Sequence, residues 1–289
     1  MNNKYRLVST TFDREKDEDK VQPQKIYFLS VEGNATEKEY FEGVSANRKQ
    51  LGINAKVDVE VLKRGGKDTN SAPKHVIELL EEYIRLRELG KEELISEIPK
   101  DLVSKYGDDF ILKYLNNPDD IQRKQRNAFV TDLMKIGYDI KYRKYLQKYD
   151  SNLDEFGILI DRDLHTHSEI NMSDCIRYCK EKNYRCYIVN PCFEFWLLLH
   201  LSDVREEYKD NLDNIKQNPK LTGRHTFVSN EVSNKAHHGK SCINFKGNYM
   251  MNIDIAIERA KQFANDEDEL VTNIGCNIWK LIVRMKEFQ

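Results

Sequence analysis

Long apolar runs are missing from this chain. No stretch approaches the roughly 18 consecutive apolar residues that a bilayer-spanning helix needs, so no membrane span is expected. Residues Met1 to Lys25 are polar and lack the apolar core of a signal peptide. Net charge is also scarce. The 46 Lys and Arg nearly balance the 48 Asp and Glu, leaving −2. No global basic field advertises nucleic acid, although a local basic groove stays open. Six cysteines are scattered from Cys175 to Cys276. Cys175 and Cys179 lie one helical turn apart, but no CxxC pair exists, which argues against the common zinc-ligand spacings and against a disulfide framework. Reduced thiols in a cytosol are the plain reading, and a cytoplasmic location is expected. Internal repeats are absent as well.

What remains is a highly charged chain with enough apolar content to fold. Charged residues make up 33% and apolar residues 39% of 289 positions, enough for one large domain or two smaller ones. Residues 1–24 carry the charge run Asp13 to Lys20 with no apolar partner, and read as a mobile arm. Strands are predicted at 26–31, 57–61, 156–160 and 184–189, from apolar runs or strict alternation. Helices are predicted between them. Thr36, with Glu39 three residues on, is the N-cap candidate of the first. Pro73 lies near the start of a second, with Val76, Leu79, Leu80, Tyr83 and Ile84 on one face. Ser168 caps a third that runs to Lys182, and Pro191 opens an apolar fourth ending near Leu201. Strand–helix alternation of this kind predicts an α/β fold, a mainly parallel sheet covered by helices on both faces. Residues 90–150 read as a helical insertion. Residues 202–289 read as a loop-rich and helical C-terminal extension, closed by helices at Ile253–Ala264 and Cys276–Lys286.

The chemistry gathers at strand ends. The third strand runs into Asp161-Arg162-Asp163, and the first into Glu32-Gly33. In open α/β sheets ligands sit beyond the carboxyl ends of strands. If the extended conformation persists, Asp161 and Asp163 point the same way and can share one hard cation such as Mg²⁺. The competing reading is an Asx turn that caps the next segment. Glu37, near a helix start, is either a further ligand or a helix-dipole partner. His165 is a candidate general acid–base, or a solvated loop residue. His167 reads as bland, and Arg162 as turned away into a salt bridge. Glu194 is the one charge in the apolar segment Asn190 to His200, so it needs a salt-bridge partner or a site. His200 need not share its face. Arg64, Lys67, Lys240 and His237-His238 lie in glycine-containing loops that can hold phosphate or can simply be surface. The insertion interleaves Arg123, Lys124, Arg126, Lys135, Lys141, Arg143, Lys144 and Lys148 with Tyr138, Tyr142, Tyr145 and Tyr149. That pattern suits either a nucleic-acid track or a solvated helix with a core stripe.

Several segments together resemble the RloB family: Glu32-Gly33 with Thr36-Glu37 and Tyr40-Phe41; Asp161-Arg162-Asp163 with His165; Asn190 through His200; and Thr272 to Met285 with Trp279-Lys280-Leu281-Ile282. The resemblance covers residues 25–87 and 153–289; residues 90–150 look longer than the usual spacer. It implies a Toprim-like fold in which Glu32, Asp161 and Asp163 hold Mg²⁺ or Mn²⁺, with Glu37 and Glu194 as further acids. It also implies a nucleic-acid substrate, an ABC/AAA-type ATPase partner and a place in bacterial defence, and leaves room for a homo-oligomer. The expected activity is metal-dependent nuclease cleavage of RNA, such as tRNA, or of DNA. Two rivals stand beside it. A haloacid-dehalogenase-type phosphatase also has a strand followed by DxD, but usually carries Thr or Val where His165 stands. A non-catalytic Toprim-like module would dock on and regulate the ATPase.

Overall fold

The first strand, β1 (Lys25–Val31), is apolar at nearly every position, and its two faces enter two different cores. Tyr27, Leu29 and Val31 belong to one, while Ile26 and Phe28 belong to the other. A strand buried on both faces reads as a continuous apolar run because helices must cover each side of the sheet. The computed structural model describes residues 24–33, 35–62, 72–88, 95–96, 98–135, 153–223, 225–240 and 242–288. Within them the chain continues through α1 (Thr36–Ala46), β2 (Val57–Leu62), α2 (Pro73–Glu88), α3 (Lys100–Tyr106), α4 (Asp108–Asn116) and α5 (Arg123–Lys135). Next come β3 (Glu155–Asp161), α6 (Glu169–Lys182), β4 (Arg185–Asn190) and α7 (Phe193–Leu201). The C-terminal region holds α8 (Val204–Glu207), α9 (Leu212–Gln217), α10 (Phe227–Lys235), α11 (Phe245–Asn248), α12 (Ile253–Ala260), α13 (Glu267–Leu270), β5 (Gly275–Cys276) and α14 (Trp279–Glu287).

The protein is α/β. Its five-stranded sheet has the order β2-β1-β3-β4-β5, with β1 to β4 parallel and β5 antiparallel to β4. One core packs Tyr40, Phe41 and Val44 of α1, all of α7 except Glu194 and Leu201, and α12 and α14 on one face of the sheet. The other packs α2, α6 and α13 on the opposite face. The chain leaves β1 to form β2 on one side, then crosses back to form β3 on the other. The carboxyl ends of β1 and β3 therefore flank the topological switch point, where crevices open in such sheets.

Four local expectations are corrected. Thr36 is the first helical residue rather than the cap; Ala35 holds the cap position with no side-chain hydrogen bond, and the carboxylate of Glu39 instead accepts the backbone N–H of Ile243 at 2.9 Å. The stretch after Ser202 contains four short helices, α8 to α11, where loops were expected. The helix expected to end at Ala264 stops at Ala260. The closing helix begins at Trp279, because Gly275 and Cys276 pair with Asn190 and Val189 as β5. Two residues show too little periodicity to betray a strand. Asn277 fixes this edge: its side-chain oxygen accepts the Ile188 N–H at 2.7 Å and its amide donates to the Cys186 carbonyl at 3.0 Å. Ser168 caps α6 as the sequence predicts, accepting from Asn171 N.

Helices α3 to α5 of the insertion pack on a core of their own, built from Ile98, Leu102, Ile111, Tyr114, Ile121, Phe129 and Leu133. Arg123 and Lys124 are exposed there. Lys141, Arg143, Lys144, Lys148 and the tyrosines at 138, 142, 145 and 149 lie outside the described residues, as does the predicted N-terminal arm up to residue 23. No helix among the described residues is long and apolar enough to cross a membrane.

Candidate active site

Glu32 follows the last residue of β1, and its backbone N–H still donates to Leu159 of β3 at 3.2 Å. The two strand ends are thereby tied in register, and the Glu32 side chain reaches across to β3. Its Oε2 accepts the Asp161 N–H at 3.2 Å, and its Oε1 lies 3.3 Å from His167 Nε2. Asp161 closes β3. Its Oδ1 accepts the Phe193 N–H at 2.9 Å, the first residue of α7. A helix N-terminus favours negative charge there through its unpaired N–H groups. Glu37, in the first turn of α1, folds back over Gly33, where a Cβ would collide with the Glu37 carboxylate. A side chain at position 33 would displace that carboxylate. Glu194, in the first turn of α7, completes the group.

The electrostatics follow from this convergence. Burial, then the charges of Glu32, Glu37 and Glu194, push the Asp161 carboxyl well above the usual range, against the Phe193 hydrogen bond that lowers it. Burial is the largest influence on Glu37 too. With the charges of Glu194 and Glu32 it outweighs backbone hydrogen bonds and raises the group to about 7. Like charges sharing a buried space each resist ionisation. Four carboxylates from two strand ends and two helix starts thus share one region of negative potential. Hard oxygen donors are what Mg²⁺ or Mn²⁺ accepts, although no three of these carboxylates offer oxygens within 4.8 Å of one another. Lys240 is the cation paired with Glu194 at 3.0 Å.

The sequence reading of the individual residues needs several corrections. Asp163 does not continue the strand. Its Oδ1 accepts the His165 N–H at 3.0 Å and its carbonyl accepts from Thr166 and His167, while its own N–H goes to the Pro191 carbonyl. This is the capping Asx turn rather than a carboxylate aligned with Asp161. His165 is exposed, and its ring contacts the Gln217 carbonyl at 2.9 Å. His167, read as bland, is buried and touches Glu32. The turn at Asp163 swings it under the end of β1, and no local pattern could signal that. Arg162 is buried without a carboxylate; its guanidinium donates to the carbonyls of Val271 and His167. Glu194 has both a salt bridge and a place among the acids, so the two readings were not exclusive. Lys240 is engaged by Glu194 rather than free for phosphate. His200 is structural: its Nε2 meets Tyr40 Oη at 3.1 Å, its Nδ1 meets the Trp196 carbonyl at 2.9 Å, and burial lowers its pKa to about 3. His237 and His238 meet edge to face in an exposed loop. Arg64 and Lys67 lie outside the described residues.

The fold is of the open, mainly parallel α/β class, in which ligand sites lie at the switch point beyond the strand ends. Within that class, the chain belongs to the RloB-like protein family, whose model matches residues 27–285 and so runs through the insertion. No curated protein and no solved structure matches the chain.

Proposed function

We propose that this protein is a divalent-metal-dependent nuclease of Toprim type that hydrolyses phosphodiester bonds in RNA, such as tRNA, or in DNA. The observation that carries the reading is the meeting of Glu32 and Asp161 across adjacent strand ends, with Glu37 and Glu194 beside them. Glu32, Asp161, Glu37 and Glu194 would hold Mg²⁺ or Mn²⁺. When bound, such an ion supplies Lewis acidity and a water of lowered pKa. The protein's own part is preorganisation. The Asp161 N–H and His167 fix the Glu32 carboxylate, and the Phe193 N–H fixes Asp161. Lys240 offsets part of the negative charge of this cluster through its 3.0 Å pair with Glu194. The family resemblance supports a cytoplasmic role in anti-phage defence alongside an ABC/AAA-type ATPase.

A second reading, a non-catalytic docking or regulatory subunit of that ATPase, draws support from Asp163, whose carboxylate is taken up by a turn. One assay separates the two. Purified protein is incubated with total tRNA and with plasmid, with and without Mg²⁺ or Mn²⁺. Cleavage by the wild type only with metal, and loss of at least a hundredfold in Asp161→Asn and Glu32→Gln with unchanged circular dichroism, is the expected result. Metal-dependent cleavage that survives undiminished in Asp161→Asn would sink the nuclease reading.

A further inference from the structure

On the opposite face of the sheet from α7, three thiols meet. Cys175 and Cys179 stand one turn apart on α6, and Cys186 is the second residue of β4, against which α6 packs. All three are buried, and their sulfur atoms lie within 4.8 Å of one another. Among the described residues no other three potential metal-ligating side chains come as close together, and that includes the acids at the strand ends. The surroundings are aliphatic: Ile158, Ile160, Met172, Ile176 and Ile188 belong to the same core.

A cysteine in such a core can act as a small hydrophobe. Packing alone gives no reason for three sulfurs to converge from a helix and a strand, when the remaining members of that core are mostly branched or aromatic side chains. Around a tetrahedral zinc, with each Zn–S bond about 2.3 Å, adjacent sulfurs stand roughly 3.8 Å apart, inside the spacing seen here. The CxxC spacing absent from the sequence is not needed, because a helical turn followed by a neighbouring strand delivers the same three sulfurs.

We propose that Cys175, Cys179 and Cys186 form a structural site for one zinc ion, separate in chemistry and position from the acids at the strand ends. Soft thiolates select zinc over magnesium, so the two sites would not compete for the same ion. The thiols lose their protons to solvent as the ion binds. A closed, buried position implies that the metal enters during folding and ties α6 to β4.

The test is metal content. The full chain is purified under reducing conditions without a chelating tag and analysed by inductively coupled plasma mass spectrometry. About one zinc per chain is expected, as for a single closed site. Cys175→Ser and Cys186→Ser should lose it, while Cys242→Ser, at an exposed thiol outside the group, should keep it. Should the core variants fail to fold, the wild type is refolded with Co²⁺ in place of zinc. A thiolate-to-cobalt charge-transfer band supports the site. Full zinc retention in Cys175→Ser overturns it, and so does a wild type that holds neither zinc as purified nor cobalt after refolding.

Discussion

Glu37 shows most plainly what concentrating acids costs at the scale of single residues. Its carboxyl is raised from 4.5 to about 7 by burial and by Glu194 and Glu32. The folded state therefore binds a proton that the unfolded chain has already released. Stability is fully present below about pH 4.5 and declines as pH rises through 7. The shift corresponds to roughly 3 kcal/mol. Thermal melts of the metal-free protein should fall across that window, and Glu37→Gln should remove most of the slope, leaving the part due to Asp161. A Glu37→Gln profile parallel to the wild type contradicts the assignment. The sequence made Glu32 and Asp161 legible, because an apolar run ending in a carboxylate places that side chain at a strand end. It left Asp163 open between ligand and capping turn, and His165 between acid–base group and loop residue, because nothing local says whether a strand continues for two more residues. His167 was passed over for the same reason: its partner, Glu32, is 135 positions away.

Glu155 does for the elements what Glu37 does for the site, with the opposite sign. Standing first in β3, it meets Lys25 of β1 at 2.5 Å, Arg185 of β4 at 3.0 Å, and Arg284 of α14. Burial alone would raise its carboxyl. Hydrogen bonds from Arg284, Lys25 and Arg185 outweigh that and hold it down at about 2. A depressed carboxyl stabilises the fold above about pH 4.5, and that contribution is lost as pH falls toward 2. After allowance for solvent screening it is worth on the order of 2 kcal/mol. Glu155→Gln should cost about that much in urea unfolding at pH 7 and close to nothing at pH 2; an equal loss at both pH values argues against the ion-pair hub. The strands and long helices were readable because their periodicity extends over many residues. β5 was not, because it is set by tertiary pairing with β4 and by the Asn277 side chain. Among the short C-terminal helices, α10 packs on α7 and α11 on α1, contacts that their own sequences do not announce.

Across the whole molecule, one sheet carries different chemistry in different places. Its switch point gathers hard oxygen donors, and one of its buried faces gathers soft sulfurs. The described part of the insertion builds a core of its own. The fold class followed from the alternation of strands and helices. The convergence of four acids did not, since Glu37 and Glu194 come from helices whose approach to β1 and β3 is fixed only in three dimensions. The central claim is that these acids together hold a divalent ion, and Mn²⁺ binding measured by electron paramagnetic resonance tests it most directly. The wild type should bind Mn²⁺, with Asp161→Asn and Glu32→Gln each weakening it at least tenfold, about 1.4 kcal/mol or more. Unchanged Mn²⁺ affinity in both variants would contradict the account.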